Sequence, residues 1–149
     1  MRSAGRALHS LGNLLAGLFL LVAVAGCHNT GKLSAEQEAR FGQEGIVRRA
    51  ADLTFRRTVP AGQRDSGWAD KRASIVVTHE SVFLHRNEKS LVEINPRSTG
   101  YYDVHRDHDR ISLRAGSGKS ATIWSFRPPD DAEGWTLDIR AVIRKAKTP

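Results

Sequence analysis

Between Ala51 and Phe126, apolar residues fall at every second position in seven short runs, and this periodicity restricts the chain more than any other feature. A side-chain period of two means a strand with one face buried. The first run sets Ala51, Leu53, Phe55 and Val59 against Asp52, Thr54, Arg56 and Thr58, with Arg57 interrupting the apolar side. Pro60 to Gly67 then has the composition of a loop. In the second run Ala73, Ile75 and Val77 alternate with Ser74, Val76 and Thr78, so its middle is apolar on both faces. Val82 to Leu84 follows a tight turn at His79-Glu80, and Leu91 to Ile94 is stopped by Asn95-Pro96. Tyr102 and Val104 form a fifth run, and Ile111, Leu113 and Ala115 a sixth after a turn at Asp107-His108-Asp109. Thr122, Trp124 and Phe126 close the series after Gly116-Ser-Gly-Lys119, and Pro128-Pro129 ends it because proline has no N–H for the ladder. Short strands joined by polar turns predict an antiparallel barrel or sandwich.

After Asp130-Asp131 the period changes. Trp135, Ile139, Val142, Ile143 and Ala146 recur at helical spacing, with Asp138, Arg140, Arg144 and Lys145 on the other side. Either aspartate can cap the start, and Arg144, Lys145 and Lys147 suit the negative end of the helix dipole. Upstream, Ser34-Ala-Glu-Gln37 has the form of a capping box and predicts a short helix over 35–43, broken by Gly42 and Gly45.

The N-terminal segment is of another kind. Arg2 and Arg6 precede an apolar run, Leu18-Phe-Leu-Leu-Val-Ala-Val-Ala-Gly-Cys27, which ends in small residues and the single cysteine of the chain. A basic flank, an apolar centre and a small-residue cleavage site make an export signal. The run is shorter than the roughly 20 residues a spanning helix needs, and a core helix would not be apolar all round beside a basic terminus. Val24-Ala25-Gly26-Cys27 resembles the lipobox of bacterial lipoproteins, with Val24 where that family prefers Leu. The resemblance implies cleavage between Gly26 and Cys27 and a diacylglycerol on the Cys27 sulfur together with an acyl chain such as palmitate. No other cofactor is expected. It also implies export and a lipid anchor in a membrane. His28, rather than Asp, after the cysteine favours the periplasmic side of the outer membrane in a two-membrane host, and otherwise the outer face of the cytoplasmic membrane. On this reading residues 1–26 are removed, 27–33 form a polar flexible tether, 34–45 a helical lead-in and 46–149 the folded domain.

Removing the signal leaves about 120 residues, enough for one core. The whole chain carries a net charge of +7, which attracts anionic head groups or serves solubility alone. A lone acylated cysteine excludes an internal disulfide.

Seven strands and then one amphipathic helix with a tryptophan near its start resemble the pleckstrin-homology (PH) superfold. The resemblance rests on this order, on Thr78-His-Glu-Ser81 between two early strands, and on Ala132-Glu-Gly-Trp135-Thr-Leu-Asp-Ile-Arg-Ala-Val-Ile143. It implies a mainly β (α+β) fold, a seven-stranded antiparallel PH-like barrel plugged by Trp135, Ile139, Val142 and Ile143 of the C-terminal helix. A lipocalin-like barrel is the competing fold and wants eight strands.

The resemblance also implies where ligands bind. PH domains hold phosphoinositides through Lys and Arg on the first two strands and their loop, and here Arg56, Arg57, Arg64, Lys71 and Arg72 occupy that region. The family's Lys-x-Arg alternation is absent, and an exported domain meets no phosphoinositides. The five remain candidates for contact with an anionic lipid surface; on a strand edge the same charges would only discourage edge pairing. Asp103, His105 and Asp107 share one face of a hairpin that continues through His108 and Asp109, a spacing suited to a divalent metal and equally to turn formation. Gly116-Ser-Gly-Lys-Ser120 lacks phosphate-loop spacing, and no Gly-x-Ser-x-Gly elbow precedes a helix. Trp68, Tyr101 and Tyr102 are candidate exposed aromatics.

The expected function is therefore non-enzymatic: a lipid-anchored interaction module of the cell envelope. It would bind a protein segment, by strand addition at an open edge, or a membrane surface, and no nucleic acid. The alternative is a small-ligand or divalent-metal carrier using the hairpin from Asp103 to Asp109.

Overall fold

The computed structural model describes residues 30–60 and 71–147. Its elements are α1 (Ala35–Glu44), β1 (Ile46–Thr58), β2 (Lys71–Thr78), β3 (Val82–Arg86), β4 (Lys89–Ile94), β5 (Tyr102–Asp107), β6 (Arg110–Ala115), β7 (Thr122–Phe126) and α2 (Ala132–Ala146). The fold is mainly β. One antiparallel sheet has the order β4-β3-β2-β1-β7-β6-β5, curled into a half-barrel, with α2 against its concave face.

β1 is the strand both halves share. Its N-terminal part pairs with β2 from Ile46 to Phe55, and its C-terminal part pairs with β7 from Phe55 to Thr58. The ladder to β2 slips between Ala50 and Leu53, where Asp52 has φ 57°. One extra residue in a strand turns the following side chains to the other face. The expected burial of Ala51 is thereby corrected: Ala50 is buried and Ala51 exposed, and the alternation resumes with Phe55. A left-handed aspartate needs local support, and Thr30 supplies it. Its N–H and hydroxyl both donate to Asp52 Oδ1 at 2.9 Å, and Ser74 Oγ lies 2.7 Å from Thr30 Oγ1.

The concave face carries the main core. The rings of Phe55 and Phe126 pack tilted at 33° with centroids 4.7 Å apart, and Trp135 meets Phe126 edge-on at 6.3 Å. Ile139, Val142 and Ile143 complete the plug, each buried, as the helical spacing predicts. Burying side chains of this kind contributes roughly 1.5–3 kcal/mol apiece. Asp131 caps α2 by accepting from Gly134 N at 3.0 Å, while Asp130 Oδ1 accepts from the Trp135 indole N–H at 2.9 Å. Arg48 of β1 clamps this start: its Nε donates to Asp138 Oδ2 at 2.7 Å and its Nη2 to Asp131 Oδ2 at 3.3 Å. A Cβ at Gly134 would collide with the Asp131 carboxylate and the Arg48 guanidinium, so a larger residue here would push both side chains out of the clamp.

A second, smaller core lies on the convex face. Leu33, Phe41, Val76 and Phe83 form it, with Phe41 and Phe83 centroids 5.1 Å apart. This explains why β2 is apolar on both sides: α1 covers what would otherwise be its solvent face. The capping box forms as expected, Ser34 accepting from Gln37 N at 3.2 Å and Gln37 Oε1 accepting from Ser34 N at 2.9 Å. The helix passes through Gly42 and stops at Gly45, whose φ is 76°.

Residues 30–33, expected to belong to a flexible tether, are packed on the domain. Thr30 and Leu33 are buried, and Thr30 O accepts from Asn87 N at 2.8 Å. Thr30 is held because its hydroxyl satisfies the Asp52 bulge. Among the described residues no helix is long and apolar enough to cross a membrane.

Candidate functional site

The basic residues expected to act together are divided by the pleat. Arg56 opposes Ser125 on the convex face, while Arg57 opposes Trp124 and lays its guanidinium 5.3 Å from that ring on the concave side. Arg72 donates to the Asp52 carbonyl at 3.1 Å, which ties it to the bulge. Lys71 opposes Phe55 at the start of β2. Arg64, Trp68, Gly26 and Cys27 lie outside the described residues.

Arg56 instead joins two arginines that spacing along the chain did not connect with it. A shallow cavity of about 360 Å³ is lined by Thr54, Arg56, Arg110, Ser125, Phe126 and Arg127. Sheet order causes this, because β7 and β6 follow β1 directly and bring residues far apart in sequence into one row. Arg127 is paired with Asp109 at 3.1 Å, and Asp107 stands opposite Arg110 in the ladder, so carboxylates flank this arginine cluster.

Asp103, His105 and Asp107 oppose Arg114, Ser112 and Arg110 along β6. Asp107 takes His108 Nδ1 at 2.7 Å as its partner, and Asp103 Oδ1 accepts from Val104 N at 2.9 Å. Among the described residues no group of three His, Cys, Asp or Glu side chains is arranged to hold a metal ion. Tyr101 is exposed beneath Lys147, whose Nζ lies 4.8 Å from the ring centroid, and Tyr102 is half-buried against the core.

A further surface feature lies where β5 ends the sheet. Among the described residues β5 pairs with β6 on one side only, and α2 runs beside it. Between them is a groove of about 280 Å³ lined by His105, Arg106, Glu133, Thr136, Leu137 and Arg140. Leu137 is a large apolar side chain left 54% exposed, and Arg106 Nη2 meets Glu133 Oε2 at 3.7 Å across the groove. The bond from Val104 N to the Asp103 carboxylate shows which way that N–H points. It faces the open edge rather than β6, and by alternation so does the N–H of Arg106. Asp103 thus covers one edge donor with its own carboxylate, a common protection of strand edges. Periodicity located β5, but only the sheet order shows that it is an edge.

No protein-family model matches the chain, and no curated protein matches it either.

Proposed function

We propose that this chain is an exported, lipid-anchored envelope protein whose PH-like domain binds an extended segment of a partner protein by strand addition to β5. Its work is binding and not catalysis. The observation that carries this reading is the free β5 edge lying beside α2, with outward N–H groups next to the half-exposed Leu137. An incoming strand would take its hydrogen bonds from this edge and its side-chain selectivity from the groove lined by His105, Arg106, Glu133, Thr136, Leu137 and Arg140. Main-chain bonds give affinity to such a complex, and the apolar contact at Leu137 adds burial. The Asp103 carboxylate would swing away as a peptide carbonyl takes its place on Val104 N. Val24-Ala-Gly-Cys27 supports the anchor, and element order with Trp135 of α2 supports the PH-like reading.

The test uses proline at the edge. Arg106→Pro removes an outward N–H while leaving the bonds of β5 to β6, since proline is tolerated on edge strands. Arg106→Ala loses the same side chain and keeps the N–H. With a photocrosslinker at Leu137 in intact cells, wild type and Arg106→Ala capture the same partner, and Arg106→Pro loses it. Equal capture by Arg106→Pro, or no capture at all, overturns strand addition.

A further inference from the structure

The way the chain leaves its anchor fixes which surface meets the membrane. Only His28 and Asn29 separate Cys27 from Thr30. Three Cα–Cα steps span at most about 10 Å, whatever their conformation. Thr30 itself does not swing freely: it is buried, bonded to Asp52 and Ser74, and its carbonyl accepts from Asn87 N at 2.8 Å. A lipid on Cys27 therefore draws down the part of the domain around Thr30, and Asn87 belongs to the turn between β3 and β4.

That part of the surface is basic. Lys32, Arg86, Asn87, Glu88 and Lys89 surround one shallow concavity: Asn87 and Glu88 form the exposed β3–β4 turn, Arg86 and Lys89 end the strands on either side of it, and Lys32 is 69% exposed at its side chain. Glu88 offsets part of the charge through its 3.1 Å pair with Lys32. Among the described residues that line it, three cations stand against one carboxylate, on the side of the domain that the anchor would draw down. Strand direction completes the geometry. In the antiparallel order, the β3–β4 turn and the β5–β6 turn lie at opposite ends of the strands.

We propose that the rim of Lys32, Arg86 and Lys89 rests on the anionic headgroups of the membrane that holds Cys27. This orientation rests on the lipid-anchor reading, and it leaves the far end of β5, with His105 and Arg106, turned toward other proteins. The rim is distinct from the Arg56, Arg57, Arg64, Lys71 and Arg72 set that the sequence pointed to.

The experiment uses the full chain as cells process it, purified from membranes and reconstituted into vesicles of phosphatidylglycerol mixed with phosphatidylcholine. Mass spectrometry of the peptide bearing Cys27 reports the lipid, and an amine-reactive label that cannot cross membranes reports lysine exposure. Lys145, held to the His79 carbonyl at 2.9 Å near the opposite turn, is the internal reference. The expected result is labelling of Lys32 and Lys89 slowed about fivefold relative to Lys145, the factor one such charge contributes at an anionic surface. Replacing the vesicles by phosphatidylcholine alone removes this protection. Equal labelling of the three lysines on a lipidated protein overturns the orientation and leaves the anchor standing. Protection that is unchanged in phosphatidylcholine overturns the charge contact. An unmodified Cys27 overturns the anchor and the orientation together.

Discussion

His85 should make the stability of this domain fall as pH drops through the range just below neutrality. Its side chain is completely buried on the convex face, its ring stacked on Phe83 at 5.0 Å. Nδ1 lies 2.6 Å from the Asn87 carbonyl, and a carbonyl only accepts, so Nδ1 carries the proton. Nε2 is then a bare acceptor, buried with no hydrogen-bond partner among the described residues. Protonating it would place a charged N–H where nothing accepts. Burial accordingly lowers the His85 pKa below its ordinary 6.5, against an opposing effect from the bond to Asn87. Arg49 and Glu38 also act on it, with opposite signs, and they pair with each other at 2.8 Å. A folded pKa below the unfolded one means that the unfolded chain binds the extra proton. Stability is full above about pH 6.5 and declines below it, by at most about 1.4 kcal/mol per pH unit.

The perturbation is His85→Asn, whose amide keeps a donor near the Nδ1 position and cannot titrate. It loses the stacked ring and costs about 1–3 kcal/mol near neutrality. Urea unfolding followed by tryptophan fluorescence between about pH 8 and pH 5.5 measures both proteins. The gap between wild type and variant narrows as the pH falls, because only wild type loses the His85 contribution. A gap that stays constant, or widens toward low pH, would refute the assignment of a neutral, desolvated imidazole.

Two further outcomes follow from the packing. Phe41→Ala empties the centre of the second core and costs about 3–5 kcal/mol locally; amide exchange in α1 then approaches the free rate while β5 and β6 stay protected, and simultaneous loss of both would show one undivided core. Arg48→Gln and Asp138→Asn, measured singly and together, should show a coupling of about 1 kcal/mol, since the 2.7 Å pair is only partly shielded from water; additive effects would show that the clamp on α2 is not an energetic unit.

How far the sequence reaches can be judged residue by residue. Most strands and α2 were legible because each buries one face, and Trp135, Ile139, Val142 and Ile143 announce the buried side of α2 by spacing alone. Val76 announced a second covered face without naming its cover, since α1 comes from a separate stretch. The Asp52 bulge was not legible: alternation around Ala51 looks regular until Thr30, from elsewhere in the chain, stabilises a positive φ. The candidate sites fared less well for the same reason. Arg56 and Arg57 are neighbours in sequence but lie on opposite faces, whereas Arg56, Arg110 and Arg127 come together only through strand order. The free edge of β5 and the pinned Thr30 are likewise products of topology, and local composition carries no trace of either.

The sharing of β1 between the two halves has a consequence for when the protein can fold. Hairpins such as β3–β4 and β5–β6 close over short turns, but Phe55 must find Phe126 across roughly seventy residues. Synthesis delivers β1 first and β7 almost last. Until then Arg56 to Thr58 have no partner strand and Phe55 lacks the Phe126 ring it packs on, so the core is incomplete around a partial chain. Late closure of this kind slows folding. On the export proposed above, which would thread the chain unfolded through a membrane, that delay is an advantage: the strand order postpones closure of the core until β7 has been made.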